Sequence, residues 1–306
     1  MSDLPLETGP RRLGLSGLEV GPIAYGMWRF AGTDETAAHA KVDAALEAGM
    51  TLFDTADIYG LDDGLPMGAS EELLGRVLKA APQLRRHMVI ATKCGIVPGT
   101  PYNSSAGHIK ASCEASLARM NTEIIDLFQI HRPDLLAHPA EVAEALADLR
   151  QEGKIREIGV SNHTASQFQA LQDHLGVAIA THQPEFSALT IAPVTDGVLD
   201  QCMAKGVTPL AWSPLAGGRL MLDAGEASTR ELADVITRLD ALAHTHAASR
   251  TAIALAWIMA HPSRPIPIVG SQTPVRIRDA AAALGVRLSR KEWYGVYEAA
   301  LGAPLP

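Results

Sequence analysis

Short apolar segments alternate along the chain with longer stretches whose apolar residues recur at helical spacing. Eight of the short segments are predicted as strands: Ile23–Gly26, Thr51–Phe53, Met88–Thr92, Ile125–Ile130, Glu157–Val160, Ala178–His182, Thr208–Trp212 and Ile266–Val269. The helical patterns are Asp34–Ala48, Ser70–Lys79, Ala106–Met120, Pro139–Glu152, Thr164–His174, Val194–Lys205, Glu231–Ala260, Pro274–Leu284 and Arg290–Leu301. This alternation is typical of βα units that build a parallel sheet.

The number and order of these elements favour an α/β fold of the (β/α)8 TIM-barrel type. An open doubly wound sheet that binds a dinucleotide would carry GxGxxG after its first strand, and this chain does not. We expect a β-hairpin over Arg11–Val20 before the barrel and an extra C-terminal helix over Arg290–Leu301. Eight βα units need roughly 250 residues. We therefore predict one barrel domain over residues 1–306, with residues 1–10 as a flexible tail.

Composition and charge narrow the range of partners and locations. The formal net charge is −8, and basic residues form no stripe along the chain, so nucleic-acid binding is not expected. The N-terminal segment lacks the apolar core of a signal peptide, and no apolar run is long enough to span a membrane. We therefore expect a cytoplasmic protein without a membrane partner. The three cysteines are far apart and His244 and His246 lack a third ligand, so no metal is expected either.

Four polar residues that can exchange or position a proton follow neighbouring strands. Asp54 and Tyr59 follow the second strand, Lys93 the third and His131 the fourth. The C-terminal ends of barrel strands face one pocket, so these side chains are expected to converge. A phenol has a pKa near 10, so we expect Lys93 to favour its ionised form and Asp54 to hold the lysine charged. His131 is expected to orient a carbonyl oxygen.

A reducible carbonyl also needs a hydride donor, which no side chain supplies. Ser161, Asn162 and Gln183 carry groups that suit a carboxamide, and Trp212 offers a face on which a nicotinamide ring could stack. Trp28, just beyond the first strand, is predicted to form a wall of the substrate pocket.

Two later segments have features that suit the phosphates of a dinucleotide. The residues expected to contact the cofactor there are Ser213, Pro214, Leu215, Gly217, Arg219, Gly270, Ser271, Gln272 and Arg276. Glycine lets backbone N–H groups approach a pyrophosphate, and a guanidinium binds phosphate strongly. Arg276 lies one turn into the last barrel helix and suits a 2′-phosphate.

Taken together, the motifs resemble those of the aldo-keto reductase superfamily over nearly the whole chain. The matching segments are FDTADIYG, ATKCG, SLARMNTEIIDLFQIHRPD, IREIGVSN, AWSPLAGG and VGSQTPVRI. The resemblance implies that Asp54, Tyr59, Lys93 and His131 are the catalytic tetrad, with Tyr59 as the acid. It also implies reduction of an aldehyde or ketone with NADP(H).

Two departures weaken the expected hold on the adenosine end of the cofactor. Gly270 occupies a position where several members carry lysine, and Ala280 one where they carry asparagine. NADP(H) is still favoured over NAD(H). The short C-terminal end resembles bacterial members without a long substrate loop. The substrate, the direction of reaction, the oligomeric state and any regulatory role stay open.

Two other functions stay open from the sequence. A lysine at a barrel strand end can form a Schiff base, which would make the protein a lyase. A barrel that retained its cofactor could also act as a nucleotide sensor without turnover. Asp57, inside the tyrosine motif, is expected to form an Asx-turn or a salt bridge.

Overall fold

The computed structural model describes residues 3–306 and opens with a small antiparallel hairpin. Strands β1 (Arg11–Arg12) and β2 (Glu19–Val20) pair as the sequence predicts. Gly14, in the hairpin loop, donates its backbone N–H to Thr208 Oγ1 at 2.7 Å. Because Thr208 begins a barrel strand, the hairpin covers the N-terminal end of the barrel.

Eight parallel strands close into a barrel, which confirms the predicted fold. They are β3 (Ala24–Gly26), β4 (Leu52–Asp54), β5 (Val89–Cys94), β6 (Ile125–Ile130), β7 (Ile155–Ser161), β8 (Thr181–Gln183), β9 (Thr208–Ala211) and β10 (Ile266–Val269). They pair in chain order, and β10 closes the ring against β3. Two of the eight, β6 and β10, have the predicted bounds, whereas β8 lies further along the chain than predicted.

Within residues 3–306, ten α-helices surround or flank the barrel. They are α1 (Glu35–Glu47), α2 (Ala69–Ala80), α3 (Ala106–Arg119), α4 (Pro139–Gln151), α5 (Ala165–Gln172), α6 (Val198–Lys205), α7 (Arg230–Thr245), α8 (Arg250–Met259), α9 (Pro274–Asp279) and α10 (Arg290–Leu301). The appended helix α10 packs against α7. Its N-terminus is closed by a capping box between Ser289 and Glu292.

Two helical predictions were wrong in their extent, each for a local backbone reason. The long pattern Glu231–Ala260 is two helices, because Ala247 adopts a left-handed backbone (φ 49°) and Ser249 caps the second helix. The pattern Val194–Lys205 becomes α-helical only at Val198, after Gly197 turns the chain with φ 88°.

The segment predicted as a flexible tail is held in part by the C-terminal region. Leu4 donates its backbone N–H to Leu288 O at 2.8 Å, and Asp3 pairs with Ser289. Leu4 and Leu6 pack against the core. Met1 and Ser2 lie outside the described residues.

The interior of the barrel changes from apolar to polar along its axis. Its N-terminal part is filled by an apolar cluster: Leu13, Val20, Ala24, Leu52, Ala91, Leu127, Leu210, Ile266 and Ile268. Nearer the C-terminal end, one row of paired residues runs through Lys93, Gln129, Gly159 and Thr181. The three side chains of this row are fully buried. The barrel thus places a polar layer on an apolar base.

Gly75 on α2 packs directly against the end of α3, whereas Gly107 on α3 faces open space. A Cβ on Gly75 would lie 2.1 Å from Arg119 O, and a Cβ on Gly107 would meet nothing within 4 Å. We expect Gly75→Ala to lower the free energy of unfolding by about 1–3 kcal/mol through overpacking. Gly107→Ala should raise it by up to ~1 kcal/mol. Urea unfolding of both variants measures this, and equal effects would contradict the packing argument.

Candidate active site

The four residues predicted to form a catalytic group meet at the C-terminal end of the barrel. Asp54 is the last residue of β4, and Lys93 lies near the end of β5. His131 directly follows β6. Tyr59 lies in the loop between β4 and α2, and this loop is held to the next strand because Thr55 and Asp57 donate their backbone N–H groups to Ala91 and Lys93.

The Lys93 ammonium group has all three of its donors occupied. Its Nζ lies 2.6 Å from Asp54 Oδ2, 2.9 Å from Thr55 O and 3.0 Å from Tyr59 Oη. The Lys93 side chain is fully buried. Burial acts to lower its pKa, but Asp54 and Tyr59 together outweigh burial, and the net pKa of Lys93 is raised. Lys93 is therefore a fixed cation.

Tyr59 accepts a hydrogen bond from Lys93, so its own phenolic hydrogen is left to point elsewhere. Burial raises the pKa of Tyr59, Lys93 lowers it and Asp54 raises it, with a net increase. Lys93 does lower the pKa of Tyr59, as the sequence predicts, but the effect of burial on that pKa is larger. Tyr59 is thus protonated at neutral pH and can donate a proton.

Two glutamine amides hold the other oxygen of the Asp54 carboxylate. Gln183 Nε2 lies 2.9 Å from Asp54 Oδ1, and Gln129 Nε2 lies 3.1 Å from the same atom. Gln183 is 2% exposed. The sequence predicts a carboxamide contact for Gln183, whereas its amide nitrogen here bonds to Asp54. The sequence analysis places Gln129 in a predicted strand but gives it no role at the site.

His131 lies beside the phenol, with the two rings edge to face and their centroids 5.9 Å apart. Burial lowers the pKa of His131 well below its ordinary value, and the positive charges of Lys93 and Arg132 lower it further. The ring is therefore neutral, with one donor and one acceptor nitrogen. Among residues 3–306, its Nδ1 meets no hydrogen-bond partner.

The residues predicted to hold a carboxamide form a connected group beside His131. Asn162, in a left-handed conformation (φ 57°), donates its amide to His131 O at 3.1 Å and to Ser161 Oγ at 2.9 Å. Its Oδ1 accepts from Trp212 Nε1 at 2.9 Å. Ser161 Oγ in turn donates to Gln183 O. The hydrogen bond from Trp212 Nε1 to Asn162 Oδ1 therefore fixes the orientation of the indole ring.

The segment after β9 has an unusual backbone that suits close approach by a ligand. Ser213, Ala216, Gly217 and Gly218 all have positive φ, and a Cβ on Gly218 would meet nothing within 4 Å. Three residues are exposed here, Gly217, Gly218 and Arg219, while Pro214 is buried and Leu215 half-buried. Arg219 Nε donates to Ala216 O.

The segment after β10 is organised by a lysine that the sequence prediction did not include. Lys41 on α1 donates to Gln272 Oε1 at 2.9 Å, and Gln272 Nε2 donates to Gly270 O at 3.2 Å. Ser271 Oγ accepts from Thr273 N. Arg276 is exposed and lies in the first turn of α9. Open space surrounds the Cβ position of Gly270.

The residue predicted as a substrate wall lies at the rim. Trp28 is 43% exposed, and its Nε1 donates to Asp62 Oδ2 at 2.7 Å. Arg132 lies on the same end of the barrel, with its guanidinium carbon 5.9 Å from the Trp212 ring centroid.

Comparison with known proteins agrees with this geometry. Residues 22–300 match the family model described as aldo/keto reductase family. The chain belongs to the aldo/keto reductase family. It is therefore an oxidoreductase of that family, as its motifs predict.

Two relatives and one solved structure show what the chain is similar to within this family. The 6-dehydroglucose reductase of Novosphingobium aromaticivorans is 51% identical, with all of both chains covered. The 6-dehydroglucose reductase of Agrobacterium fabrum is 39% identical, covering 95% of this chain and 98% of the relative. The thermostable aldo-keto reductase Tm1743, solved with the inhibitor epalrestat, is 26% identical with a TM-score of 0.81, covering 95% of this chain and 99% of that chain.

Two findings bear on metals and membranes. Within residues 3–306, no group of three or more His, Cys, Asp or Glu side chains is arranged to hold a metal ion. In the same part of the chain, no helix has both the length and the apolar character that a membrane span requires.

The environment of Asp57 differs from the one that the sequence predicts. It is fully buried, and neither carboxyl oxygen meets a hydrogen-bond partner within residues 3–306, so the predicted Asx-turn or salt bridge was wrong. Burial and the nearby Glu71 raise the pKa of Asp57 to about 7, against the opposing charge of Arg119. Glu71 itself accepts from Thr92 and pairs with Arg119 at 2.7 Å.

This raised pKa makes stability depend on pH. Above the ordinary aspartate pKa of 3.8 the unfolded chain releases the proton, while the folded protein keeps it up to about pH 7. Folding therefore loses stability as pH rises through that window. We expect the difference in melting temperature, Asp57→Asn minus wild type, to increase from pH 5 to pH 8. Asp63→Asn, in the exposed loop nearby, is the control, and a difference constant with pH would contradict the assignment.

Proposed function

We propose that the protein is an NADP(H)-dependent carbonyl reductase in which Tyr59 is the general acid. The observation that carries this proposal is the orientation of the phenol. Lys93 donates to Tyr59 Oη, which leaves the phenolic proton for a substrate oxygen. Asp54 keeps the lysine charged, and His131 is a neutral hydrogen-bonding partner for the same oxygen.

The residues present fit a nicotinamide dinucleotide. Support comes from Trp212, whose ring is fixed by Asn162, and from the open glycine positions Gly218 and Gly270. We propose that Ser161 and Asn162 hold the carboxamide and that Gly217 and Arg219 contact the pyrophosphate. In the same proposal Ser213, Pro214 and Leu215 line its path. When bound, the reduced nicotinamide supplies the hydride.

The adenosine end is proposed to lie at the segment after β10. Ser271 and Arg276 would contact the 2′-phosphate, while Gly270 and Gln272 form the turn that precedes α9. Arg276 is exposed in the first turn of α9, and a guanidinium binds phosphate through two N–H groups. NADP(H) is therefore proposed as the preferred cofactor over NAD(H).

The state of Lys93 weighs against the lyase alternative. Schiff-base formation needs a neutral amine with a free lone pair. Lys93 is charged, donates three hydrogen bonds and is fully buried beneath Tyr59. It has neither the protonation state nor the access that a nucleophile requires.

For the substrate we propose a sugar aldehyde, specifically 6-dehydroglucose. This rests on the full-length relative that is 51% identical and on a second that is 39% identical, both named for that reaction. The rim offers what a sugar needs, since the aromatic face of Trp28 can stack on a sugar ring. Arg132 and Asp62 add donors and acceptors for its hydroxyl groups.

Turnover of 6-dehydroglucose with NADPH, followed by absorbance of the cofactor, tests this function. We expect Tyr59→Phe to lower kcat roughly a hundredfold or more, because it removes the proton donor and keeps the ring. Binding of NADPH to this variant, followed by fluorescence, should be unchanged. Retained turnover would refute Tyr59 as the acid, and a wild type active only on other carbonyls would refute the substrate. An NADPH-binding wild type without turnover on any aldehyde would favour the sensor alternative.

Arg276 gives a separate test of cofactor choice. We expect Arg276→Leu to raise the KM for NADPH about tenfold and to leave the KM for NADH unchanged, because only NADPH carries the 2′-phosphate. Arg278→Leu is the matched control on the same helix, since Arg278 is paired with Glu47 at 2.6 Å. An equal change for both cofactors would contradict the role of Arg276.

A further inference from the structure

Gln129 is a buried residue of the barrel interior whose side-chain amide donates a hydrogen bond to the proposed catalytic carboxylate of Asp54. It lies on β6, directly opposite Lys93 in the strand register, and its side chain is fully buried. Its Nε2 lies 3.1 Å from Asp54 Oδ1. Gln129 lies within the matched segment SLARMNTEIIDLFQIHRPD, but no role is assigned to it there or in the function proposed above.

The orientation of the Gln129 amide is set by its neighbours. Thr181 Oγ1 and Gln183 Nε2 both donate to Gln129 Oε1, each at 3.4 Å. The oxygen is thus directed at donors, and the nitrogen is directed at Asp54. A buried amide that satisfies its donor and acceptor together has one preferred orientation.

The barrel also keeps space for this amide. Gly159 lies between Gln129 and Thr181 in the strand register. A Cβ on Gly159 would lie 2.8 Å from Gln129 Cγ and 2.2 Å from Thr181 Oγ1. Any larger residue at position 159 would displace the pair, so the glycine leaves room for Gln129.

We infer that Gln129 is a positioning residue that tunes Tyr59 through Asp54, an inference that rests on the proposed function. Asp54 shares its negative charge between two sides: Lys93 on Oδ2, and the amides of Gln129 and Gln183 on Oδ1. Each amide draws charge away from the side of the carboxylate that faces Lys93. Without Gln129, more of that charge acts on Lys93 and Tyr59.

The consequence for the proton donor has a definite sign. Asp54 opposes ionisation of Tyr59, and Lys93 favours it. A carboxylate with one fewer donor is a stronger base and a stronger local negative charge. Losing Gln129 therefore makes the phenol a weaker acid and moves the alkaline limb of carbonyl reduction to higher pH.

The variant Gln129→Met tests this, because methionine has nearly the same length and volume but no N–H. We expect kcat/KM for 6-dehydroglucose to fall roughly tenfold at pH 7. The alkaline limb of the kcat/KM profile should move to higher pH, while the dissociation constant of NADPH stays unchanged. If the natural substrate differs, the profile is measured with any aldehyde that the wild type reduces.

Two further variants separate tuning from loss of packing. Gln129→Glu keeps the shape but sets a second carboxyl against Asp54, so we expect a larger loss of activity than with methionine. Thr208→Val is the control, because Thr208 Oγ1 accepts a part-buried hydrogen bond from the hairpin and is not among the groups that hydrogen-bond to Asp54 or Gln129. It should lower the melting temperature and leave the pH profile in place.

The outcomes distinguish this inference from the proposed function. An inactive wild type would overturn the proposed function and this inference with it. An active wild type with an unchanged alkaline limb in Gln129→Met would overturn the inference alone, whatever happens to stability. If Gln129→Met does not fold, Gln129→Glu decides: activity and pH profile equal to wild type would overturn the positioning role.

Discussion

The buried ion pair between Lys93 and Asp54 is the interaction on which the rest of the site depends. Removing two charges from water costs several kcal/mol for each ion unless both are paired and fully hydrogen-bonded. Here Lys93 donates three hydrogen bonds and Asp54 accepts three from Lys93, Gln129 and Gln183. The polar groups of the barrel interior beside the ion pair offset this cost by hydrogen-bonding to it.

That requirement explains why the interior changes from apolar to polar along its axis. The N-terminal half is filled by aliphatic side chains and sealed by the hairpin. Water is therefore excluded from below the ion pair, so its electrostatic effect on Tyr59 is weakly screened. The polar row then supplies hydrogen bonds where an aliphatic layer could not. Lys93 is fully buried and Asp54 nearly so, and Tyr59 contacts the lysine on the side of the rim.

The loop that carries Tyr59 is supported by a second buried polar group outside the barrel. Backbone hydrogen bonds from Thr55 and Asp57 join the loop to β5. Behind it, Glu71 on α2 pairs with Arg119 on α3, and Asp57 sits beside them as a neutral acid at low pH. The phenol of Tyr59 is held by its loop and by Lys93 together, so the protein itself sets the position of the proposed proton donor.

The sequence by itself determined the architecture and the main members of the site. The alternation of short apolar segments with amphipathic helical patterns predicted the closed barrel, because parallel strands bury both faces and each surrounding helix buries one. The rule that strand ends share one rim grouped Asp54, Tyr59, Lys93 and His131. Tertiary structure alone decided which groups surround them. In the sequence, Gln129 is one polar residue in an apolar strand, and Lys41 is one charged residue in a helical pattern. Only the packing of the folded chain brings Gln129 to Asp54 and Lys41 to Gln272. The net pKa of Tyr59 and the raised pKa of Asp57 were likewise beyond the sequence, because burial depends on neighbours that are distant along the chain.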